Sequence, residues 1–137
     1  MNHLIVFMLV IAMYFGLNEA SLKNRIEIHN QLALGHRLQY QCRNNINPFD
    51  DKVQYLNFND TKVIEFHDPF YSDKRLQWNC ILKHGPNMMY YYDIRVYRAA
   101  AYRRFNLLRS WTAKSDGIYY RESYKKPSGH VLHWMKK

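Results

Sequence analysis

The sequence predicts an all-β protein, a small antiparallel β-sandwich with one disulfide that follows an N-terminal signal peptide. Three observations support this: apolar and polar residues alternate in several short segments, turn-forming residues separate those segments, and the only two cysteines end the similar segments LQYQC (38–42) and LQWNC (76–80). Short alternating segments with frequent turns are typical of sandwiches and barrels. A chain of 137 residues is long enough for a single core and one domain.

Residues 1–20 have the pattern of a signal peptide. Their apolar run, from Leu4 to Phe15, contains no Lys or Arg and is too short for a typical membrane span. The small residue Ala20 precedes the expected cleavage point, so we expect the folded domain to cover 21–137 and to be secreted, with no membrane span left. Cleavage removes Glu19 and no basic residue, which changes the net charge from +9 to +10. A short membrane anchor or a buried N-terminal helix is the alternative.

Apolar residues at every second position predict half-buried strands in four places. The alternating residues are Ile26 and Ile28; Leu38, Tyr40 and Cys42; Leu76, Trp78 and Cys80; and Ile94 and Val96. The segment 97–110 stays open, because Ala99 to Ala101 favour a helix while a loop between strands fits equally well.

The two cysteines predict a disulfide between Cys42 and Cys80. A secreted chain meets an oxidising compartment, where two cysteines usually form one bridge. Neither lies in a C-x-x-C motif, and their separation of 38 positions matches no redox or zinc spacing. Closing this loop is worth about 4 kcal/mol in the chain-entropy model. Two buried free thiols are the alternative.

Few other motifs suggest chemistry. Asn59-Asp60-Thr61 is a sequon, which predicts a glycoprotein modified at Asn59. His130 and His133 have a spacing that could approach a metal, but no third ligand lies nearby in the sequence. The chain has no recognisable catalytic motif. We therefore predict no metal, no cofactor and no catalytic residue.

A basic stretch is the strongest signal for an interaction. Five arginines fall within fifteen positions and alternate with aromatic residues: Arg95, Arg98, Arg103, Arg104 and Arg109. Such a stretch can attract nucleic acid, an acidic cell-wall polymer, a membrane surface or an acidic receptor loop. For a secreted protein we expect no nucleic acid as partner. A basic face that only keeps the protein soluble is the alternative.

Several stretches resemble the plant self-incompatibility S-protein family, also called S-protein homologues, from about Arg25 to about Tyr120. They are RIEIHNQLALGHRLQYQCRN, DPFYSDKRLQWNC, YDIRVY and WTAKSDGIYY, the last with a hairpin end at Asp116-Gly117-Ile118. The chain departs from the family in two respects. The family usually has a second cysteine pair shortly before the tryptophan that corresponds to Trp111, and it has an acidic run with Leu-Gly where this chain has NNINPFDD.

The resemblance implies a secreted, non-enzymatic β-sandwich that acts as an extracellular signalling ligand for a cell-surface receptor, and we expect a monomer. Loops on a rigid scaffold commonly carry binding. We expect the partner-binding surface at 44–52, 67–75 and 97–109, with the candidate residues Asp50, Asp51, Arg98, Arg103, Arg104 and Arg109.

Two other functions remain open at this stage. A secreted basic hydrolase such as a ribonuclease would suit the high pI and the histidines, although it needs two catalytic groups within reach of one phosphate. A membrane-active defence protein would suit the positive charge, although the sequence lacks the amphipathic helix that usually carries that activity.

Overall fold

The computed structural model describes residues 23–47, 52–70 and 74–137, and the predicted signal peptide lies outside them. The described residues form ten strands and one short 3-10 helix, Pro86–Met88. The strands are β1 (Asn24–Gln31), β2 (Leu38–Asn44), β3 (Gln54–Leu56), β4 (Thr61–Phe66), β5 (Gln77–His84), β6 (Tyr90–Arg98), β7 (Leu108–Lys114), β8 (Gly117–Arg121), β9 (Gly129–Leu132) and β10 (Met135–Lys136).

The strands form two five-stranded sheets, which confirms the predicted all-β sandwich with one disulfide. The first sheet has the order β4-β1-β7-β8-β9 and the second the order β10-β6-β5-β2-β3. Most strand pairs are antiparallel, and β1 and β7 are the exception: they pair in parallel, from Arg25 opposite Leu108 to Gln31 opposite Lys114. A parallel pair requires a long connection, and here 76 residues of chain separate the two strands.

The core lies between the two sheets and contains most of the residues that alternate in the sequence. Ile26 and Ile28 of β1 are fully buried, and they face a layer from the second sheet formed by Leu38, Tyr40, Cys80, Leu82, Ile94 and Val96. Leu76 is also buried but precedes β5. Period-two burial on one face is the reason these segments adopt strands.

The disulfide joins Cys42 of β2 to Cys80 of β5, at directly opposite positions of an antiparallel pair. This confirms the predicted bridge. Segment 97–110, left open by the sequence, contains no helix: β6 ends at Arg98 and β7 begins at Leu108, with an irregular loop between them. The described parts of the chain contain no helix long and apolar enough to span a membrane.

The C-terminal segment links the two sheets. Strand β9 pairs with β8 in the first sheet, and two residues later β10 pairs with the start of β6 in the second. The main-chain N–H of Lys137 donates to the carbonyl of Met89 at 2.9 Å. The segment from β9 to β10 therefore connects the edge of one sheet to the edge of the other.

Candidate interaction surface

The described parts of three loops that the sequence singled out meet at one end of the sandwich, which we call the loop end: 45–47 with 52–53, 67–70 with 74–76, and 99–107. The strand register brings them together, because Asn44 at the end of β2 lies opposite Trp78, and Arg98 at the end of β6 lies opposite Gln77. In the first sheet Phe66, at the end of β4, lies opposite Asn24. The sandwich thus supplies one rigid platform for segments distant in sequence.

Asn45 fastens the first of these loops to the second. Its side-chain Nδ2 donates to the carbonyl of Arg75 at 2.7 Å, and its Oδ1 accepts the main-chain N–H of Gln77 at 2.9 Å. Asn44 accepts the N–H groups of Ile46 and Asn47 through its own Oδ1, as asparagine does in turns. Side-chain amides therefore replace the sheet hydrogen bonds where the strands end.

The carboxylate of Asp68 fastens the third loop. Asp68 is 2% exposed, and it accepts hydrogen bonds from the Tyr97 hydroxyl at 2.5 Å and from the main-chain N–H of Arg104 at 3.0 Å. The amide of Asn24 also approaches it, at 3.4 Å, and donates to the carbonyl of Arg104 at 3.2 Å. A buried carboxylate needs such partners, because leaving it unpaired is costly.

The proton of Tyr97 is held firmly in this network. Burial, followed by the hydrogen bond to Asp68 and the charge of that carboxylate, raises the pKa of Tyr97 to about 12. Tyr97 is therefore a neutral hydrogen-bond donor at neutral pH. The pair is suited to positioning loop 99–107 rather than to proton transfer.

Exposed aromatic side chains surround Arg103 at the surface of the loop end. Its guanidinium carbon lies 3.6 Å from the ring centre of Phe70 and 4.9 Å from that of Phe105. Its Nε donates to the carbonyl of Asp68 at 2.7 Å. Phe70 is 74% exposed and the neighbouring Tyr102 is 71% exposed. Exposed apolar side chains that lie together in one patch are typical of interaction sites.

The four candidate arginines differ in their environments. The side chain of Arg98 is exposed, whereas Arg103 and Arg104 are partly buried in contacts that hold loop 99–107. One guanidinium nitrogen of Arg104 donates to the carbonyl of Arg98 at 2.8 Å. Arg109 is partly buried and lies 5.9 Å from the ring centre of Tyr97. A double change of Arg103 and Arg104 to Glu would therefore disturb the loop as well as its charge.

The remaining candidate residues are Asp50, Asp51 and Asn59. Asp50 and Asp51 fall outside the described residues. Asn59 is exposed in the turn 57–60 and its Oδ1 accepts a hydrogen bond from Gln31 at 3.0 Å. This turn, with loops 32–37, 85–89 and 115–116, forms the opposite end of the sandwich, which we call the hairpin end. A glycan on Asn59 would stand away from the loop end.

A second buried carboxylate, Glu27, lies on the outer face of the first sheet. It accepts hydrogen bonds from Arg25 Nε at 2.7 Å and from the Tyr124 hydroxyl at 2.5 Å, and His29 Nε2 lies 3.2 Å away. Burial opposes ionisation of Glu27, but the hydrogen bonds from Tyr124 and Arg25 outweigh it and hold the pKa of Glu27 below its ordinary value. Glu27 therefore stays ionised and fixes loop 122–128 to the sheet.

Ser110 completes a Ser-His-Glu group that resembles a hydrolase triad in composition only. His29 Nε2 lies 3.0 Å from the Ser110 hydroxyl and also faces Glu27, while its Nδ1 lies 2.7 Å from the Thr61 hydroxyl. In a triad the base uses one ring nitrogen for the nucleophile and the other for the carboxylate. Ser110 is also fully buried. This group is therefore a hydrogen-bond network without access to a substrate.

Across the described ranges, no three His, Cys, Asp or Glu side chains are placed to share one metal ion. The pair singled out by the sequence, His130 and His133, is in ring contact at 4.6 Å, and His130 also stacks on Tyr119. The two ring contacts account for the positions of both histidines.

Sequence reasoning missed Asp68 and Glu27 as organising residues. Asp68 lies in HDPFYSD, where an aspartate before proline has the ordinary signature of a solvated turn. The polar position of Glu27 in an alternating strand likewise predicts an exposed side chain. Loops 99–107 and 122–128 cover these two carboxylates. Because both loops are distant from them in the sequence, the residues around Asp68 and Glu27 do not indicate that they are buried.

Comparison with known proteins identifies relatives over nearly the whole chain. The family model described as plant self-incompatibility protein S1 matches residues 25–134. S-protein homolog 25 of Arabidopsis thaliana is 47% identical, with 99% of each chain covered. S-protein homolog 30 of the same species is 44% identical over 94% of this chain and all of its own length.

A solved structure shows the same fold. It is a structure of an SPH (self-incompatibility protein homologue) protein, from a group described as a widespread family of small, highly stable, secreted proteins from plants. The two structures have a TM-score of 0.64 at 28% sequence identity, over 83% of this chain and 96% of that one. The predicted family and the predicted extracellular location are thereby confirmed. The chain belongs to the plant self-incompatibility protein S1 family, the S-protein homologues, and is a small secreted plant protein.

Proposed function

We propose that this protein is a non-enzymatic extracellular signalling ligand that binds a cell-surface receptor protein through its loop end, as a monomer. The observation that supports this most directly is the pair of exposed rings, Phe70 and Phe105, on the Arg103 guanidinium, with the exposed Tyr102 in the same cleft lining as Phe70 and Arg103. Aromatic residues and arginine are the side chains most enriched at the centres of protein interfaces. A surface of this composition suits recognition of another protein.

The cluster is also held in place before binding. The Asp68 carbonyl and the two flanking rings position the Arg103 guanidinium, and the Asp68 carboxylate fixes the loop that carries it. Side chains that are ordered in the free protein lose less conformational entropy on association, so more of the contact energy appears as affinity.

The charge of the chain indicates the nature of the partner. The net charge is +9, and the exposed Arg75 and Arg98 lie at the loop end. A basic surface speeds association with an acidic one and disfavours basic competitors. We therefore propose an acidic protein surface as the complement of the loop end.

Binding of the labelled secreted protein to intact plant cells tests this proposal. We expect saturable binding that disappears when the cells are first treated with trypsin. Tyr102→Ala should weaken it at least tenfold, the typical effect of removing an interface anchor (~1.4 kcal/mol or more). Leu34→Ala is the matched control, because Leu34 is 86% exposed at the hairpin end. Equal loss with both variants, or no saturable binding, would refute the proposed surface.

The non-enzymatic part of the proposal has its own test. Support comes from the Ser110-His29-Glu27 network, whose serine has no access to solvent. We expect the purified secreted protein to leave RNA intact. Cleavage that disappears on His29→Ala or His84→Ala, with both variants folded by circular dichroism, would favour the hydrolase alternative.

We propose further that Asn59 carries a glycan, because its side chain is exposed in a turn of a secreted protein. The intact mass of the protein secreted by plant cells should fall on treatment with an N-glycan-releasing enzyme, and Asn59→Gln should have the lower mass without treatment. An unchanged mass would show that the sequon is not used.

A further inference from the structure

The hairpin end contains a cleft that the proposed receptor surface does not use. Its volume is about 500 Å³, a size typical of small-molecule sites. Apolar and aromatic groups line most of it, among them Leu32, Pro86, Tyr90 and Trp134. Asp116 and three histidines provide its polar groups: His36, His84 and His133.

One wall of the cleft is a stack of aromatic rings centred on His84. The imidazole lies parallel to the ring of Tyr90 at 5.1 Å and edge-on to the indole of Trp134 at 4.3 Å. Gly85 permits this packing, because a Cβ there would come within 2.7 Å of the Tyr90 ring and its φ is +85°. Trp134 is fixed in turn by a hydrogen bond from its indole N–H to the carbonyl of Lys114 at 2.7 Å. The wall is therefore rigid.

His84 leaves part of its hydrogen-bonding capacity unused. The residue is 7% exposed, and its Nε2 has no hydrogen-bond partner among the described residues. Burying Nε2 without a partner costs less free energy when it carries no proton than when it carries an N–H. We therefore assign the single proton of the neutral ring to Nδ1. His84 thus brings one N–H donor to the wall of an apolar cleft.

The charges around the cleft favour an anion. His36 in loop 32–37 and His133 before β10 share the cleft with His84. Two basic residues adjoin its wall through their main chains: Lys114, whose carbonyl accepts the Trp134 indole N–H, and Lys136, which lies opposite Tyr90. The opposing charge is Asp116, whose carboxylate already accepts a hydrogen bond from Tyr119 at 2.7 Å. The imidazoles therefore remain as hydrogen-bonding groups for a ligand. Burial, followed by the nearby His36, lowers the pKa of the His84 imidazole, which keeps that ring neutral.

We propose that this cleft is a binding site for a small planar aromatic carboxylate. The aromatic wall would stack on the ring of the ligand, and the histidines would hold its carboxylate by hydrogen bonds. The site lies at the end of the sandwich away from the proposed receptor surface. Binding of the small molecule can therefore be tested without altering the residues proposed to bind the receptor.

The test uses 2-naphthoate as probe and the three indole N–H signals of the secreted protein in NMR spectra as readout. We expect a saturable shift of the Trp134 signal while the Trp78 signal stays in place, because Trp78 lies on β5 near the loop end. The uncharged analogue naphthalene-2-methanol should bind at least tenfold more weakly at pH 6.

Variants separate this site from nonspecific uptake of an aromatic compound. His84→Phe keeps the ring stack and removes the donor, and His36→Ala removes an imidazole from an exposed loop without touching the core. Each should weaken 2-naphthoate at least fivefold at pH 6, whereas His67→Phe, exposed near the loop end, should have no effect. If 2-naphthoate gives no saturable Trp134 shift, or binds both histidine variants and the unaltered protein equally, the proposal is wrong.

Discussion

Single buried polar side chains hold the connections of this sandwich. Asn30 is fully buried, and its amide donates to the carbonyls of His36 and Leu56 at 2.9 and 2.8 Å while its Oδ1 accepts the N–H of Leu32 at 3.0 Å. It therefore joins the end of β1 to the loop before β2 and to the end of β3.

Asn30→Ala should be strongly destabilising. The change leaves two carbonyls and one N–H buried without partners, at roughly 1–3 kcal/mol for each group that water cannot reach. We expect a loss of at least about 2 kcal/mol in the free energy of unfolding, measured with urea. Gln31→Ala is the adjacent control, because Gln31 is exposed, and it should cost below about 0.5 kcal/mol. Similar values for both variants would contradict the role assigned to Asn30.

Glu27 should make the stability depend on pH. Its pKa is lowered in the folded protein by Tyr124 and Arg25 despite burial. The ionised form therefore stabilises the fold above the unfolded-state pKa of about 4, and this contribution is lost as the pH falls through the lower folded pKa. Glu27→Gln should flatten the stability profile between about pH 5 and 2. Glu65→Gln is the control, because Glu65 is an exposed partner of Arg25, and it should leave the pH profile of stability unchanged. Equal profiles for the unaltered protein and both variants would contradict the role of Glu27.

At the scale of elements, loop 99–107 depends on a contact from another part of the chain. Asp68, which follows β4, accepts the N–H of Arg104 and the hydroxyl of Tyr97. The local preference of Ala99 to Ala101 for a helix is overridden, because Ala99 donates to the carbonyl of Leu76 at 2.8 Å and is buried. The loop is therefore ordered by tertiary contacts.

Asp68→Asn should loosen this loop selectively. The substitution replaces the carboxylate that accepts the Tyr97 hydroxyl and the Arg104 N–H. We therefore expect hydrogen exchange at 99–107 to be about tenfold faster or more, which corresponds to ~1.4 kcal/mol of local stability. Exchange in β1 and β5 should change far less. His67→Ala, at the exposed neighbouring position, is the control. Uniform acceleration along the chain would show that Asp68 supports the whole fold instead.

The sequence predicts elements best where the signal is local. Period-two alternation is visible in β1, β2, β5 and β6, and each of those strands is present. The two-residue β10 and the parallel pairing of β1 with β7 depend on contacts between distant segments. The alternation of apolar and polar residues therefore does not predict them. Likewise the sequence shows the charge of the arginines, but not that Arg103 packs between two rings while Arg98 is exposed. Such differences arise only in the assembled fold.

At the scale of the whole molecule, a net charge of +9 should accelerate encounter with an acidic partner. Arg98→Glu tests this at an exposed arginine of the loop end, with its main-chain contact to Arg104 preserved. We expect weaker binding to cells, mainly through a slower association rate, with a larger effect at 20 mM than at 300 mM salt because salt screens exposed charges. Lys62→Glu, on β4, is the charge-matched control. An Arg98→Glu effect that does not vary with salt would exclude steering by this residue.

Site-specific photo-crosslinking on intact plant cells tests the central claim, that the loop end contacts a receptor protein, most directly. A photoreactive phenylalanine analogue at Phe105, 40% exposed at the loop end, is compared with the same analogue at Leu34 of the hairpin end. The account predicts that Phe105 yields a discrete crosslinked membrane protein, competed by excess unlabelled ligand, and that Leu34 does not. A crosslink that forms only from the Leu34 position, and that excess unlabelled protein removes, would place the receptor contact at the hairpin end and contradict the account.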